Sequence, residues 1–313
     1  MKFPNASGAG GSLLLEASSF LPLALFRIGL AALLLAQAQV LWEYRELLLD
    51  EFGPVPWSIS DQFLDPFLPR MSDLAAWVSP AGISSRQLVA GFLLAHTVGA
   101  ALLLVGYCTR GAALLAWSTY VVLRCTGHMY FYGIGGLFLI GLFYCIFMPV
   151  ARQWSVDRLV EARRQRPDDH LDASLSVLVL RIHLSIVYLA AGLSKATGEQ
   201  WWSGDAVWRA LSLPRFQQFD MPQVFAYPML LQVAALGAVI VQLAYPVLVW
   251  TRLRALIVLL TELMHVGIAI FLGLWMFSGV MIVFNVAAFG ETLWRAGRRW
   301  SGSLGLVPSW KAR

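Results

Sequence analysis

The stretch Arg181–Gly204, RIHLSIVYLAAGLSKATGEQWWSG, decides how the chain is read. Most of it is apolar enough to cross a bilayer, yet it carries Arg181 near one end and Lys195 near the other, then breaks into a polar turn with Trp201 and Trp202. An ionisable residue inside a membrane span costs roughly 2.5–3.5 kcal/mol on insertion scales, so it points to a functional site. Positions 181, 188 and 195 repeat by heptads, which puts Arg181, Tyr188 and Lys195 on roughly one helix face. Ala191 and Gly192 leave room beside Lys195 for a neighbouring helix or a ligand. The plainer reading of Lys195, held open here, is that it snorkels to the outer interface.

The whole chain agrees with a membrane setting. Of 313 residues, 58% are hydrophobic and 13% charged, the mean hydropathy is +0.67, and a soluble domain averages about 25% charged residues. The fold class expected is all-α, a polytopic membrane bundle, with too little chain outside the spans for a separate soluble catalytic domain. The net charge of +5 would suggest nucleic acid in a soluble protein; here membrane topology explains the basic residues, and no nucleic-acid partner is expected. MKFPNASGAGGS at the start reads as a flexible tail, not a cleavable signal. Cys108, Cys125 and Cys145 show no CxxC spacing, so neither a disulfide framework nor a zinc site is expected.

Eight apolar stretches stand out, at about 20–42, 87–107, 112–125, 131–150, 174–196, 227–250, 255–272 and 275–294. They divide the chain into a tail (1–19), a transmembrane domain (20–294) and a basic tail (295–313). Arg27, in the first stretch, either snorkels to the inner face, the preferred reading, or pairs inside the bundle. Residues 43–86 are rich in Pro and aromatics and read as a folded surface loop with short interfacial helices. The basic residues collect at Arg110, the 152–166 Arg cluster, Arg252, Arg254, Arg295, Arg298 and Arg299. The positive-inside rule therefore gives N-in/C-in in a bacterial-type plasma membrane. Trp42, Trp201, Trp202 and Trp275 then mark the outer interface, and Trp154, Trp250 and Trp294 the inner one.

This topology puts Lys195, His128 and His265 in the same half of the membrane. A Lys amine in a dry pocket loses its proton more easily and can act as a base. Two imidazoles could hydrogen-bond an oxyanion or orient a substrate oxygen. Glu262 lies one turn before His265 on the same face, and reads as a counter-ion for a buried Arg or Lys. The competing reading of each histidine is a buried bridge between helices. His96 and His183 read as packing residues, and His170 as a solvated loop residue. There is no P-loop, GxGxxG, HExxH or GxSxG pattern, and no ligand set for a metal.

The order of motifs resembles a known family. HMYFYGIGG, then QWSVDRL, then LRIHLSIVYLAAGLSKATGEQWWSG, then ELMHVGIAIFLGLWMFSGVM, is similar to the transmembrane region of vitamin K-dependent γ-carboxylase. Chains of this length with that pattern are identified as HTTM (horizontally transferred transmembrane) domain proteins. The resemblance implies that Lys195, in the AGxxK motif, is the base that deprotonates reduced vitamin K. Oxygenation then gives a strong base that removes a γ-proton from a protein Glu, carbon dioxide traps the carbanion, and the quinone leaves as its epoxide. It also implies that His128, in HxYxYG, and the late His265 belong to the same pocket.

This chain departs from the carboxylase pattern in three ways. Gly127 stands where the carboxylase has Asn, and Ser194 where it has the first of two adjacent Lys. The long soluble region that holds the carboxylase's substrate is not expected here. The leading expectation is a carboxylase-like enzyme that takes reduced menaquinone or vitamin K hydroquinone from the lipid. Lys195, His128 and His265 would be catalytic, and Tyr130, Tyr132, Tyr188 and Trp202 would hold the ring. Quinol epoxidation, with carboxy-lyase chemistry as its extension, would then occur at a site facing the outer side, with a membrane or secreted protein as partner and no metal. The alternative is a non-enzymatic scaffold, sensor or immunity-type subunit in which Lys195 and the histidines are structural. Transport is weaker, since no inverted repeat is visible.

Overall fold

A computed structural model describes residues 19–131, 133–161, 170–216, 218–219 and 228–303. Eight long helices carry the chain: α1 (Leu21–Glu43), α2 (Ser85–Val105), α3 (Thr109–Thr126), α4 (Ile134–Phe147), α5 (His170–Ala196), α6 (Pro228–Leu248), α7 (Arg254–Leu272) and α8 (Trp275–Ser303). No strand occurs among the described residues, so the protein is all-α as expected. The loop 43–86 holds short helices at Arg45–Leu48, Trp57–Ser60 and Met71–Val78. His170 is not in a loop; it opens α5.

Eight membrane spans were expected, whereas six helices are long and apolar enough to cross: α1, α2, α5, α6, α7 and α8. α4 has 14 residues, or about 21 Å at helical rise, against a hydrocarbon core of about 30 Å. The apolar stretch runs on to Val150, but Pro149 follows Met148, and a residue before proline is pushed out of helical geometry. Met148 is accordingly extended, at φ −80° and ψ 154°. α3 carries Arg110, Ser118, Thr119 and Arg124 along its 18 residues, which dilutes its apolarity.

The chain divides into two compact units, residues 23–173 and residues 174 onward with the first 22 residues. In the first, the loop packs on the ends of the long helices. Trp57 and Met71 join Leu41, Leu49, Val89, Leu93, Val122 and Leu123 in one buried cluster. The Trp57 indole donates to the Leu49 carbonyl at 3.0 Å. Ser84 and Gln87 form a reciprocal capping box that starts α2.

Arg27 does not snorkel; it is fully buried in this unit. Its Nη1 donates to the carbonyls of Leu103 and Leu104, both at 2.6 Å. Nη2 donates to the carbonyl of Trp154, and Nε to that of Val150 at 3.3 Å. The reason is local. α2 ends at Gly106, in the left-handed region at φ 72°, and a helix end leaves carbonyls without partners. A guanidinium offers five donors to such a cluster. Gly106 is required there, because a Cβ would meet Arg27 Nη1 at 2.8 Å in addition to the positive φ.

Asp157 completes the junction. Its carboxylate accepts from the backbone N–H groups of Cys108 and Thr109, both at 2.8 Å, and from Thr109 Oγ1 at 2.7 Å. It caps the first turn of α3, where negative charge is favoured. Burial would raise this carboxyl, but those hydrogen bonds and the Arg27 charge hold it below the ordinary aspartate range. The Trp154–Asp157 motif is therefore a brace between α2 and α3.

In the second unit, α6 lies hard against α5 beside Lys195. A Cβ on Gly192 would meet the Leu243 backbone nitrogen at 3.0 Å. The room left by Gly192 is taken by a helix, which settles the two occupants considered for it.

Candidate functional site

Lys195 sits in the last turn of α5, half-buried. Its Nζ lies 5.2 Å from the centre of the Trp201 ring, and 3.5 Å from the carbonyl of Ala191. It makes no ion pair with any described carboxylate. The turn after α5 brings Trp201 back under the amine, because Gly198 ends the helix and the Trp201 amide donates to the Gly198 carbonyl at 3.0 Å. The contact is a cation–π arrangement, in which an ammonium sits over the negative face of an indole.

Two turns earlier on α5, Tyr188 belongs to a buried polar chain drawn from all four long helices of this unit. The Tyr188 hydroxyl lies 2.9 Å from His265 Nε2 on α7. Asn285 Nδ2 on α8 donates to the Tyr188 oxygen at 2.7 Å and to the Met281 carbonyl at 2.9 Å. The Tyr245 hydroxyl on α6 donates to Asn285 Oδ1 at 2.7 Å. Tyr188, Tyr245, His265 and Asn285 are at most 2% exposed. The Tyr188 and Tyr245 rings lie 4.2 Å apart, and Phe277 meets the imidazole edge-on at 5.7 Å. Arg181, on the same α5 face, donates to the Ala288 carbonyl at 3.0 Å and lies over Phe289.

The bonds in this chain stop short of completion. Among the described residues His265 Nδ1, Glu262 Oε1, Gln242 Oε1 and Ser278 Oγ are buried with no hydrogen-bond partner. Gln242 reaches α7 through its Nε2, 3.9 Å from Met264 Sδ. Glu262 was expected to balance a buried Arg or Lys; no such ion pair exists among the described residues. Arg181 faces α8 instead, on the carbonyl of Ala288.

The other expected site residues fall elsewhere. His128 and Tyr130 belong to the unit 23–173, and Lys195, Tyr188, Trp202 and His265 to the unit that begins at residue 174. His128 Nδ1 is 3.0 Å from Ser60 Oγ, which in turn donates to the Thr126 carbonyl at 3.3 Å. His128 is thus tied to the loop helix Trp57–Ser60. Gly127 beside it is close-packed, since a Cβ there would meet Phe131 at 3.0 Å and Leu49 at 3.1 Å. Tyr130 is exposed, and Tyr132 lies outside the described residues. Trp202 is 49% exposed, with its indole donating to the Ala196 carbonyl at 2.9 Å. A cavity lined by Arg45, Asp50, Glu51, Ser85 and Arg86 opens in the unit 23–173, and none of the expected site residues lines it. Among the described residues, no group of three His, Cys, Asp or Glu could hold a metal ion.

Sequence reasoning missed Gln242, Tyr245, Ser278 and Asn285. One signal was present: each is a polar group inside an apolar helix, and 242/245 and 278/285 keep helical spacing. Comparison with known proteins adds one match. A family model described as HTTM domain matches residues 56–294. No curated protein and no solved structure matches the chain.

Proposed function

The chain belongs to the HTTM-domain family, and from that premise we propose that it deprotonates a reduced quinone at the membrane surface, with Lys195 as the base. Six apolar helices make it a multi-pass membrane protein. Its setting in this reading is a bacterial-type plasma membrane, N-in and C-in, with Lys195 at the outer end of α5.

The observation that carries the reading is the state of Lys195: a half-buried amine with no acidic partner, placed over an aromatic face. None of the described carboxylates pairs with it, so no ion pair occupies the amine. When bound, the quinol supplies the acidic hydroxyl and the ring that oxygen attacks. Lys195 Nζ accepts the hydroxyl proton, Trp201 and the exposed Trp202 offer flat apolar surface, and His265 lies within electrostatic reach of Lys195. Tyr188 acts in this reading by fixing His265, since it is bonded on both sides and buried. Menaquinol and vitamin K hydroquinone are the substrates proposed, with carboxylation of a secreted or membrane protein as the coupled reaction.

The test is quinol consumption with epoxide detection, using purified protein in lipid, reduced menaquinone and oxygen. Epoxide made by wild type and lost in Lys195→Met supports the base role. A folded, quinol-binding protein that makes none overturns it.

A scaffold or sensor reading has its own support. The Tyr245–Asn285–Tyr188–His265 chain ties α5, α6, α7 and α8 together. In that case Lys195→Met leaves any partner complex intact, as pull-down from native membranes would report.

A further inference from the structure

The unit beginning at residue 174 contains a half-buried carboxyl, one oxygen of it enclosed and unpartnered, that the quinol reading does not use. We propose that Glu262 is a proton-binding site inside the membrane, coupled to His265 one turn away on α7. The proposal stands apart from quinol chemistry and would hold for a non-enzymatic protein.

The argument starts from hydrogen positions. Asn285 Nδ2 donates to the Tyr188 oxygen, which leaves the Tyr188 proton for the nitrogen 2.9 Å away, His265 Nε2. A neutral imidazole that accepts at Nε2 carries its hydrogen on Nδ1. That Nδ1 is buried and unpartnered. Glu262 precedes His265 by three residues on α7, the spacing at which helical side chains are neighbours. It presents a buried oxygen, Oε1, that is also unpartnered. A donor without an acceptor and an acceptor without a donor therefore stand one turn apart on one helix. Gln242 Oε1 and Ser278 Oγ, on side chains 6% and 1% exposed, are also unpartnered. A carboxylate in an apolar span with no cation paired to it escapes its desolvation cost by taking up a proton.

The uptake balances as one proton. A hydronium O–H bond breaks as an O–H bond forms on the carboxylate of the half-buried Glu262, so one proton enters and Glu262 becomes neutral. Tyr188 keeps its proton on the bond to His265 Nε2, which holds the imidazole hydrogen on Nδ1, one turn from Glu262. Asn285 orients Tyr188. The charged and titratable groups around the site are known. α5 contributes Arg181, Tyr188 and Lys195, and α6 contributes Tyr245. Glu262 acts electrostatically on Tyr188 and Tyr245, Arg181 on Tyr245, and Lys195 on His265. α8 presents Ser278 and Asn285, which do not titrate. The helix Asp205–Ser212 meets α7 at Leu272, well beyond Glu262.

The experiment uses the full chain in lipid nanodiscs with N,N′-dicyclohexylcarbodiimide, an apolar reagent that adds to protonated carboxyls. Peptide mass mapping locates the adduct. The expected result is an adduct on Glu262 that falls as the pH rises and is absent from Glu262→Gln. Infrared difference spectra between low and high pH should show a protonated-carboxyl band that Glu262→Gln removes. His265→Phe should shift the pH at which both signals are lost. Wild type alone tests the site should the Gln variant misfold. No Glu262 adduct and no protonated-carboxyl band at any pH in the folded protein overturns the proposal. An adduct whose pH dependence ignores His265→Phe overturns the coupling to His265. None of these readouts involves quinol, so their failure is distinct from failure of the epoxidation assay.

Discussion

Arg27 and His265 are each the centre of a buried polar hub, and the two hubs differ in one respect. Arg27 reaches four carbonyls, and Asp157 behind it takes two backbone N–H groups and a hydroxyl. That hub uses its polar groups on helix ends. His265 is bonded through Nε2 and left open at Nδ1, with Glu262, Gln242 and Ser278 also incomplete. A buried polar group without a partner costs about 1–3 kcal/mol, and each such group calls for an explanation, a catalytic role or a water or ion among them. The difference suggests where to look: the closed hub is a brace, and the open hub is where chemistry is sought.

Removing the brace should have the largest effect. Arg27→Leu strands the carbonyls of Leu103, Leu104, Val150 and Trp154, and should cost about 3–5 kcal/mol. Thermal unfolding in detergent reads this, and a loss below about 1 kcal/mol would erase the contrast between the hubs. Gly192→Val should cost about 1–3 kcal/mol by overpacking, since the Leu243 backbone nitrogen cannot retreat as a side chain would. Asn285→Leu breaks the open hub at its bonded end, with an expected loss of about 1–3 kcal/mol as the hydroxyls of Tyr188 and Tyr245 lose their partner.

Asp157→Asn should cost about 1 kcal/mol as a weakened cap, and this loss carries a pH signature. The folded-state carboxyl lies below its ordinary value. Its stabilisation is therefore full above the unfolded aspartate value of about 3.9 and drains as pH falls through the folded-state value. Wild type should lose its advantage over Asp157→Asn in melts taken across that acid range. The smallest stability effect belongs to Lys195→Met, within about 0.5 kcal/mol, because no described ion pair is broken. A large destabilisation there would make Lys195 a structural residue and count against its role as the base.

Much of the architecture was legible in the chain. Hydropathy placed every long helix within a few residues at most ends. Eight spans were expected and six of the described helices have the length and apolarity to cross; α3 falls short by its polar residues and α4 by the break that Pro149 imposes. The site was half legible. Tyr188 and His265 could be named, and they meet. Lys195 could be named, but its neighbour Trp201 could not be distinguished from an interfacial anchor.

Periodicity, composition and the positive charges settle from the sequence alone that this is an all-helical, multi-pass membrane protein, because each helix has to satisfy its own backbone in lipid. Which polar group completes its bonds is a different kind of fact. Arg27 looked ready to snorkel until the ends of α2 and the Trp154 turn were seen to surround it. Glu262 looked like a counter-ion until no cation among the described residues was found paired with it. Those outcomes depend on the placement of residues far apart in the chain, from Arg27 to Trp154 and from Tyr188 to Asn285. Hydrogen bonds act over about 3 Å, so only the tertiary structure could decide them.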